Sequence, residues 1–285
     1  MNHIKEKKII NKKIYFGVFI LIFFGLIVVF GNLKNKDNNQ NLDNKLAVVA
    51  SNGIALVSIS NERRMINELT FDQNIKVWIP GDGNWVKNNE VKINFDRNKK
   101  LDFVKNIFWY NFGFYPDKIL ILDSVDQWKE DSILINNLGF VDWFKYRINY
   151  GKMLFKREKI NDELNKEELV LDEIMVRDFS ESRINNEELR LSVFNNTNQS
   201  GLADFMTKRL EWSGFSVVST DNSMDKINKC LIVYGNKTDL NYGWKMINII
   251  FDCDKKFNEN LNENELEIYF GDNLASMIKY SSYFK

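Results

Sequence analysis

Few side chains in this 285-residue chain have the chemistry to act on a substrate, and their spacing narrows the choice further. The single histidine, His3, stands in a lysine-rich tail, which excludes a histidine-based triad and a histidine-ligated metal site. The two cysteines, Cys230 and Cys253, are too few for a zinc site. Anion binding, carbohydrate stacking and isolated acids remain. Lys92, Arg97, Lys99 and Lys100 make a basic run beside a turn, suited to an anion and equally suited to plain solvation. Trp78, Trp85, Trp109 and Tyr110 offer aromatic faces to the C–H-rich side of a sugar. Trp85, next to the glycine-rich turn around Asp82, is the best placed for a ligand, whereas Trp109 has the spacing of a core residue. Residues 195–201 (NNTNQSG) lead into a helix, so Asn195, Asn196, Thr197, Ser200 and Gly201 form a candidate loop for an anion or a polar sugar. The same residue types also serve turn geometry and helix capping. Asp204, Lys208 and Arg209 read as ordinary exposed helix positions.

These groups need elements to hold them. Two runs, LAVVA (46–50) and IALVSI (54–59), have the length and β-branched content of strands, and IKVWIPG (75–81) and KILIL (118–122) follow the same rule. Residues 101–110 carry Leu101, Val104, Ile107 and Phe108 at helical spacing. Strands alternating with a helix predict a small α/β domain over 46–155, its aromatic stretch 137–150 completing or covering it. Charge rises over 156–188, which reads as a linker. Over 189–285 the order is strand, helix, strand, strand, helix, strand. That βαββαβ order predicts a split-βαβ α+β domain with its helices on one sheet face. In that layout Cys230 and Cys253 fall at the same end, where a disulfide and two buried thiols both fit.

Residues 14–31 contain no charge and no strong polar group, about the minimum needed to span a bilayer as a helix. Lys5, Lys7, Lys8, Lys12 and Lys13 precede that stretch, and Asp37 and Asp43 dilute the basic residues after it. This asymmetry predicts a single transmembrane helix with a cytoplasmic tail (1–13), a polar tether (32–45) and everything beyond it outside. Lys+Arg and Asp+Glu both total 39, so no net charge draws the chain to nucleic acid.

The first domain resembles the catalytic domain of the LytR–CpsA–Psr family, envelope enzymes that transfer lipid-linked glycopolymers to the cell wall. Ala50-Ser51-Asn52 matches the family's Arg-Ser-Asp run, and residues 69–74 match Leu-Ser-Ile-Pro-Arg-Asp. Ile79-Pro80-Gly81, Lys92-Ile93-Asn94, Gly113 and residues 118–123 then follow in order. The C-terminal part resembles the LytR C-terminal domain through residues 193–197, 200–203, 214–217, 233–235 and 270–272. The family's arginines hold a pyrophosphate, and an aspartate helps hold a divalent metal. At the four matching charged positions stand Ala50, Asn52, Gln73 and Asn74, with Asp72 one step from where an acid is wanted. The resemblance therefore implies a degenerate site and no catalytic residue. It implies a non-catalytic envelope protein whose partners are cell-wall glycan, a lipid-linked precursor or envelope enzymes. The competing reading is a divergent phosphotransferase that uses Asp72, nearby lysines and Mg as cofactor.

Overall fold

The computed structural model of the chain describes residues 44–60, 63–80, 84–92, 101–130, 152–160, 170–223, 225–236 and 241–278, with isolated positions between 131 and 151. The expected tail, anchor and nearly all of the tether lie outside these residues. Among the described residues no helix is long and apolar enough to cross a membrane.

The chain is mixed α/β, and its strands form two five-stranded sheets and a small hairpin. The β-branched runs become β1 (Asn44–Ala50) and β2 (Gly53–Ser60), buried on both faces and joined by a turn at Ser51–Asn52. β3 (Met65–Phe71) pairs antiparallel with β2. β4 (Lys76–Ile79) and β5 (Asn84–Lys87) form the hairpin, and β6 (Lys118–Leu122) and β7 (Leu154–Ile160) are the outer strands of the first sheet. The first sheet has the order β6-β1-β2-β3-β7. Strands so apolar on both sides need cover on both sides. Helix α1 (Leu101–Phe112) supplies one cover, packing Val104, Ile107 and Phe108 with Ala47, Val49, Leu56 and Leu69. Trp128 lies under the other, against Leu46, Val48, Val57 and Ile66, with Trp143 at its margin.

The stretch expected to be a linker is built into this body. Its charges hide a strand: β7 pairs parallel with β3 along its whole length. Arg157 meets the fully buried Glu68 in a bidentate contact at 3.2 Å, and Lys156 meets Asp178 at 2.8 Å. Further on, Leu171, Ile174, Met175 and Phe179 enter the same core as α1. A short helix, α2 (Ser182–Asn186), then leads to the second sheet.

That sheet comprises β8 (Arg190–Asn195), β9 (Ser216–Asn222), β10 (Leu231–Tyr234), β11 (Asp254–Phe257) and β12 (Glu265–Phe270), in the order β11-β10-β12-β8-β9. Helices α3 (Leu202–Ser213) and α4 (Tyr242–Ile250) cover one face, and α5 (Asp272–Met277) closes the chain's described part. The expected elements are present, but the split arrangement is not. β8 and β9 are direct parallel neighbours, as are β10 and β11, so each helix joins adjacent strands. The extra strand, β11, has the sequence DKKF and every residue exposed, which left no apolar signal to read.

The two sheets are not separate domains, since Asp43–Lys285 is one compact unit. Trp109 and Tyr110 of α1 belong to the core of the second sheet, and Trp212 of α3 to the core of the first. Arg209, expected on an exposed helix face, is buried. It donates from Nε to the Tyr110 carbonyl at 3.1 Å and from its NH2 nitrogen to the Asn111 carbonyl at 3.3 Å. It thereby satisfies the orphan carbonyls at the C-terminal end of α1. Ser213 adds a bond to the Gly113 carbonyl at 2.7 Å and accepts the Trp109 indole N–H at 3.0 Å.

A buried ionic group reinforces the same junction. Lys45 at the start of β1 meets Glu181 at 3.5 Å, and Arg183 meets the other Glu181 oxygen at 3.0 Å. Burial pushes the Glu181 carboxyl up, but Lys45 and Arg183 together outweigh it and hold the group below the ordinary carboxylate range. A depressed native pKa adds stability above the unfolded-state value, and that stability is lost as pH falls through the native value. Acid titration of unfolding free energy should therefore show a steeper decline in the parent than in Glu181→Gln. Equal slopes would remove Glu181 as a source of acid sensitivity.

Candidate functional site

β1, β3, β6 and β7 run parallel to one another, so their carboxyl ends meet at one edge of the first sheet, where β2 begins. This edge collects Ser51, Asn52, Asp72, Gln73, Asn74, Asp123 and Ser124, the loop residues that follow β1, β3 and β6. Carboxyl edges of such sheets are where ligands commonly bind.

Most of these side chains are engaged with one another. Asn52 donates to Ser124 Oγ at 3.1 Å and accepts the Val125 N–H at 3.0 Å, so its amide joins two loops. Asp72 accepts the Asn74 N–H at 3.0 Å and the Asn74 side-chain amide at 3.2 Å. That backbone bond, helped by Lys159 at 3.6 Å, holds the Asp72 carboxyl below its ordinary range and therefore ionised at neutral pH. Lys92 points to this edge as well, donating to the Leu122 carbonyl at 2.8 Å and meeting Asp123 at 3.3 Å. Arg97, Lys99 and Lys100 lie outside the described residues. Ala50 is fully buried at the end of β1.

One residue that the sequence did not single out holds the edge in shape. Asn88 is fully buried and donates to the carbonyls of Phe71 and Asp72 at 3.0 and 3.2 Å. Gly53, at φ +140°, passes so close that a Cβ there would stand 3.2 Å from the Asn88 amide nitrogen. Neither signal is visible without the fold, because a polar residue in an Asn-rich chain announces nothing. Trp85 is half-buried and lies cross-strand from the buried Trp78, ring centroids 5.4 Å apart. It keeps one side toward solvent at the hairpin, while Trp109 is fully buried. Chemically, this edge presents neutral amides and paired charges, while the partly exposed Trp85 indole stands on the hairpin, whose Trp78 exchanges hydrogen bonds with Asn111 near the C-terminal end of α1. Among the described residues no three acidic, cysteine or histidine side chains converge to hold a metal.

The second candidate, residues 195–201, does not join the first. Asn195 and Asn196 are buried. Asn195 donates to the Gln199 carbonyl at 2.9 Å and accepts both the backbone N–H and the hydroxyl of Thr197 at 3.1 and 2.7 Å. Thr197 Oγ1 in turn accepts the Gln199 N–H at 3.1 Å, and Asn196 donates to the Asp225 carbonyl. Gly201 takes the left-handed conformation at φ 77°, and Ser200 beside it is exposed. The loop's amides and hydroxyl thus shape the turn itself. Cys230 and Cys253 form a disulfide, Cα atoms 4.8 Å apart, so no free thiol exists among the described residues.

No family model matches the chain, and neither a curated protein nor a solved structure matches it.

Proposed function

We propose that this chain is a membrane-anchored envelope protein, displayed outside the cytoplasm, that binds or organises cell-wall glycopolymer or its assembly enzymes without converting it. The observation that carries this reading is the carboxyl edge of the first sheet. The positions that match the diphosphate-gripping charges of LytR–CpsA–Psr enzymes are Ala50, Asn52, Gln73 and Asn74. Of the described lysines at this edge, Lys92 already faces Asp123 and a carbonyl, and Lys159 already faces Asp72. Transfer of a phosphoryl-linked polymer depends on unpaired positive charge and a metal to neutralise the diphosphate. Neutral amides bonded to their own loops supply neither. The N-terminal apolar stretch 14–31 supports an anchor, and the Cys230–Cys253 disulfide supports an oxidising compartment. Resemblance of the C-terminal part to the LytR C-terminal domain adds the wall-facing context.

A second reading has Asp72 as its one supporting observation, since a carboxylate held ionised at this edge suits a divalent metal. The full chain in detergent, mixed with a polyprenyl-pyrophosphate sugar, an acceptor glycan and Mg, separates the two. No turnover, with retention of the chain on isolated wall material, is expected. Turnover lost in Asp72→Ala would replace the binding reading with the phosphotransferase.

A further inference from the structure

A cleft of about 550 Å3 opens at the amino ends of β8, β9 and β12, on the far side of the second sheet from residues 195–201. Asn185, Glu188, Arg190, Ser216, Asn264 and Glu265 line it. Sheet register sets three of these side by side: Glu265 opposite Arg190, and Arg190 opposite Ser216. The alternation along β8 and β12 turns Leu191, Val193, Leu266 and Ile268 toward the helices, which leaves Arg190 and Glu265 on the uncovered face. On that face β8 and β12 continue beyond the cleft, through Ser192 and Glu267, to Phe194 and Tyr269, stacked at 4.7 Å. A polar cleft and an aromatic pair thus share one sheet face.

Glu188 gives the cleft a specific mark. It sits just past the end of α2 with φ 52°, in the left-handed region where glycine or asparagine is the usual occupant. Asparagine is abundant in this chain, yet here a glutamate adopts the strained conformation and lines the cleft. Strain of this kind concentrates at binding positions.

We propose that this cleft binds a neutral, N-acetylated glycan strand. Carboxylates and an arginine accept and donate to sugar hydroxyls, side-chain amides match acetamido groups, and the Phe194–Tyr269 pair adds apolar contact. Two carboxylates against one guanidinium leave the lining acidic, which repels a phosphate-rich polyanion. This rests on the reading of the chain as a wall-binding protein and names the polymer class it would hold.

The test uses the full chain in detergent with two probes, chitotetraose and poly(glycerol phosphate), followed by titration calorimetry. Saturable binding of chitotetraose is expected, with little for the polyanion. Arg190→Ala and Glu188→Gly should each weaken it tenfold or more. Glu188→Gly relieves the left-handed backbone, so its melting midpoint should be no lower than the parent's, which separates lost binding from lost structure. No saturable chitotetraose binding, a preference for the polyanion, or unchanged affinity in both variants would overturn the proposal. Retention of both variants on isolated wall at parental levels sinks the cleft alone. Failure of the parent to be retained sinks the wall-binding reading beneath it.

Discussion

Gly113→Ala is expected to lower the unfolding free energy of the whole chain by about 3 kcal/mol, through strain and overpacking at one point. Gly113 follows the last residue of α1 at φ 59°, the left-handed cap that glycine adopts freely. A Cβ there would stand 2.5 Å from the Arg209 carbonyl oxygen and 2.7 Å from the Trp212 Cβ, both on α3. Neither atom is the tip of a flexible side chain, so the helices themselves must part. Their parting would stretch the Arg209 bonds to Tyr110 and Asn111 and the Ser213 bond to Gly113. It would also open two cores at once, because Trp109 and Trp212 each reach into the opposite one. Denaturant unfolding should show one cooperative transition shifted to lower midpoint, with an unchanged slope. A loss under about 1 kcal/mol, or a second transition, would mean that the sheets part without disturbing each other.

That junction marks the limit of what was legible in the chain. β1 and β2 were readable because strands buried on both faces must be continuous apolar runs, and residues 46–50 and 54–59 are such runs. β6 was readable from the same composition in residues 118–122, although as an outer strand it leaves Ile121 exposed. α1 and α3 were readable from spacing, and β8 from alternation. β3 was not, because Asn67 and Glu68 interrupt it, and both are buried. Glu68 is tolerated there only because Arg157 and Lys129 reach it from β7 and from the turn after β6. β7 was hidden by those same partner charges. A charge-rich stretch reads as solvated until its counter-charges are known, and they lie far away in sequence.

The candidate sites divide along similar lines. Residue type identified the loop 195–201 correctly as a turn leading into a helix, yet could not decide between a ligand and the turn as the partner of Asn195 and Thr197. Their bonds to Gln199 and to each other show the share these groups have in the turn. Arg209 was assigned to solvent from its neighbours on one helix, whereas the carbonyls that it satisfies belong to another. The polar cleft beside β8 was invisible, since Glu188, Arg190, Ser216 and Glu265 come together only through strand register.

Reduction of the Cys230–Cys253 disulfide should cost the fold about 3 kcal/mol, the loop-closure value for a separation of 23 residues. The bond joins the start of β10 to the end of α4, ahead of β11. β11 buries little, so its place depends on four paired residues, the Phe257–Tyr234 ring contact at 5.8 Å, the Asp254 N–H to Cys230 carbonyl bond and the Lys229–Asp254 ion pair at 2.8 Å. The covalent link fixes the residue before β11 to the residue before β10, and so sets the register of that parallel pair. Both sulfurs are buried, and Asn273 accepts the Cys230 N–H at 3.0 Å, so α5 is tied to the same point. Denaturation of the reduced parent and of the Cys230→Ala/Cys253→Ala double variant should give the same midpoint, lowered against that of the oxidised parent. Amide exchange should accelerate first in β11 and α5, because they rely most on this link. An unchanged midpoint would show that packing of α4 alone places the edge strand. The bond would then say nothing about stability, and support for an oxidising compartment would rest on its mere presence.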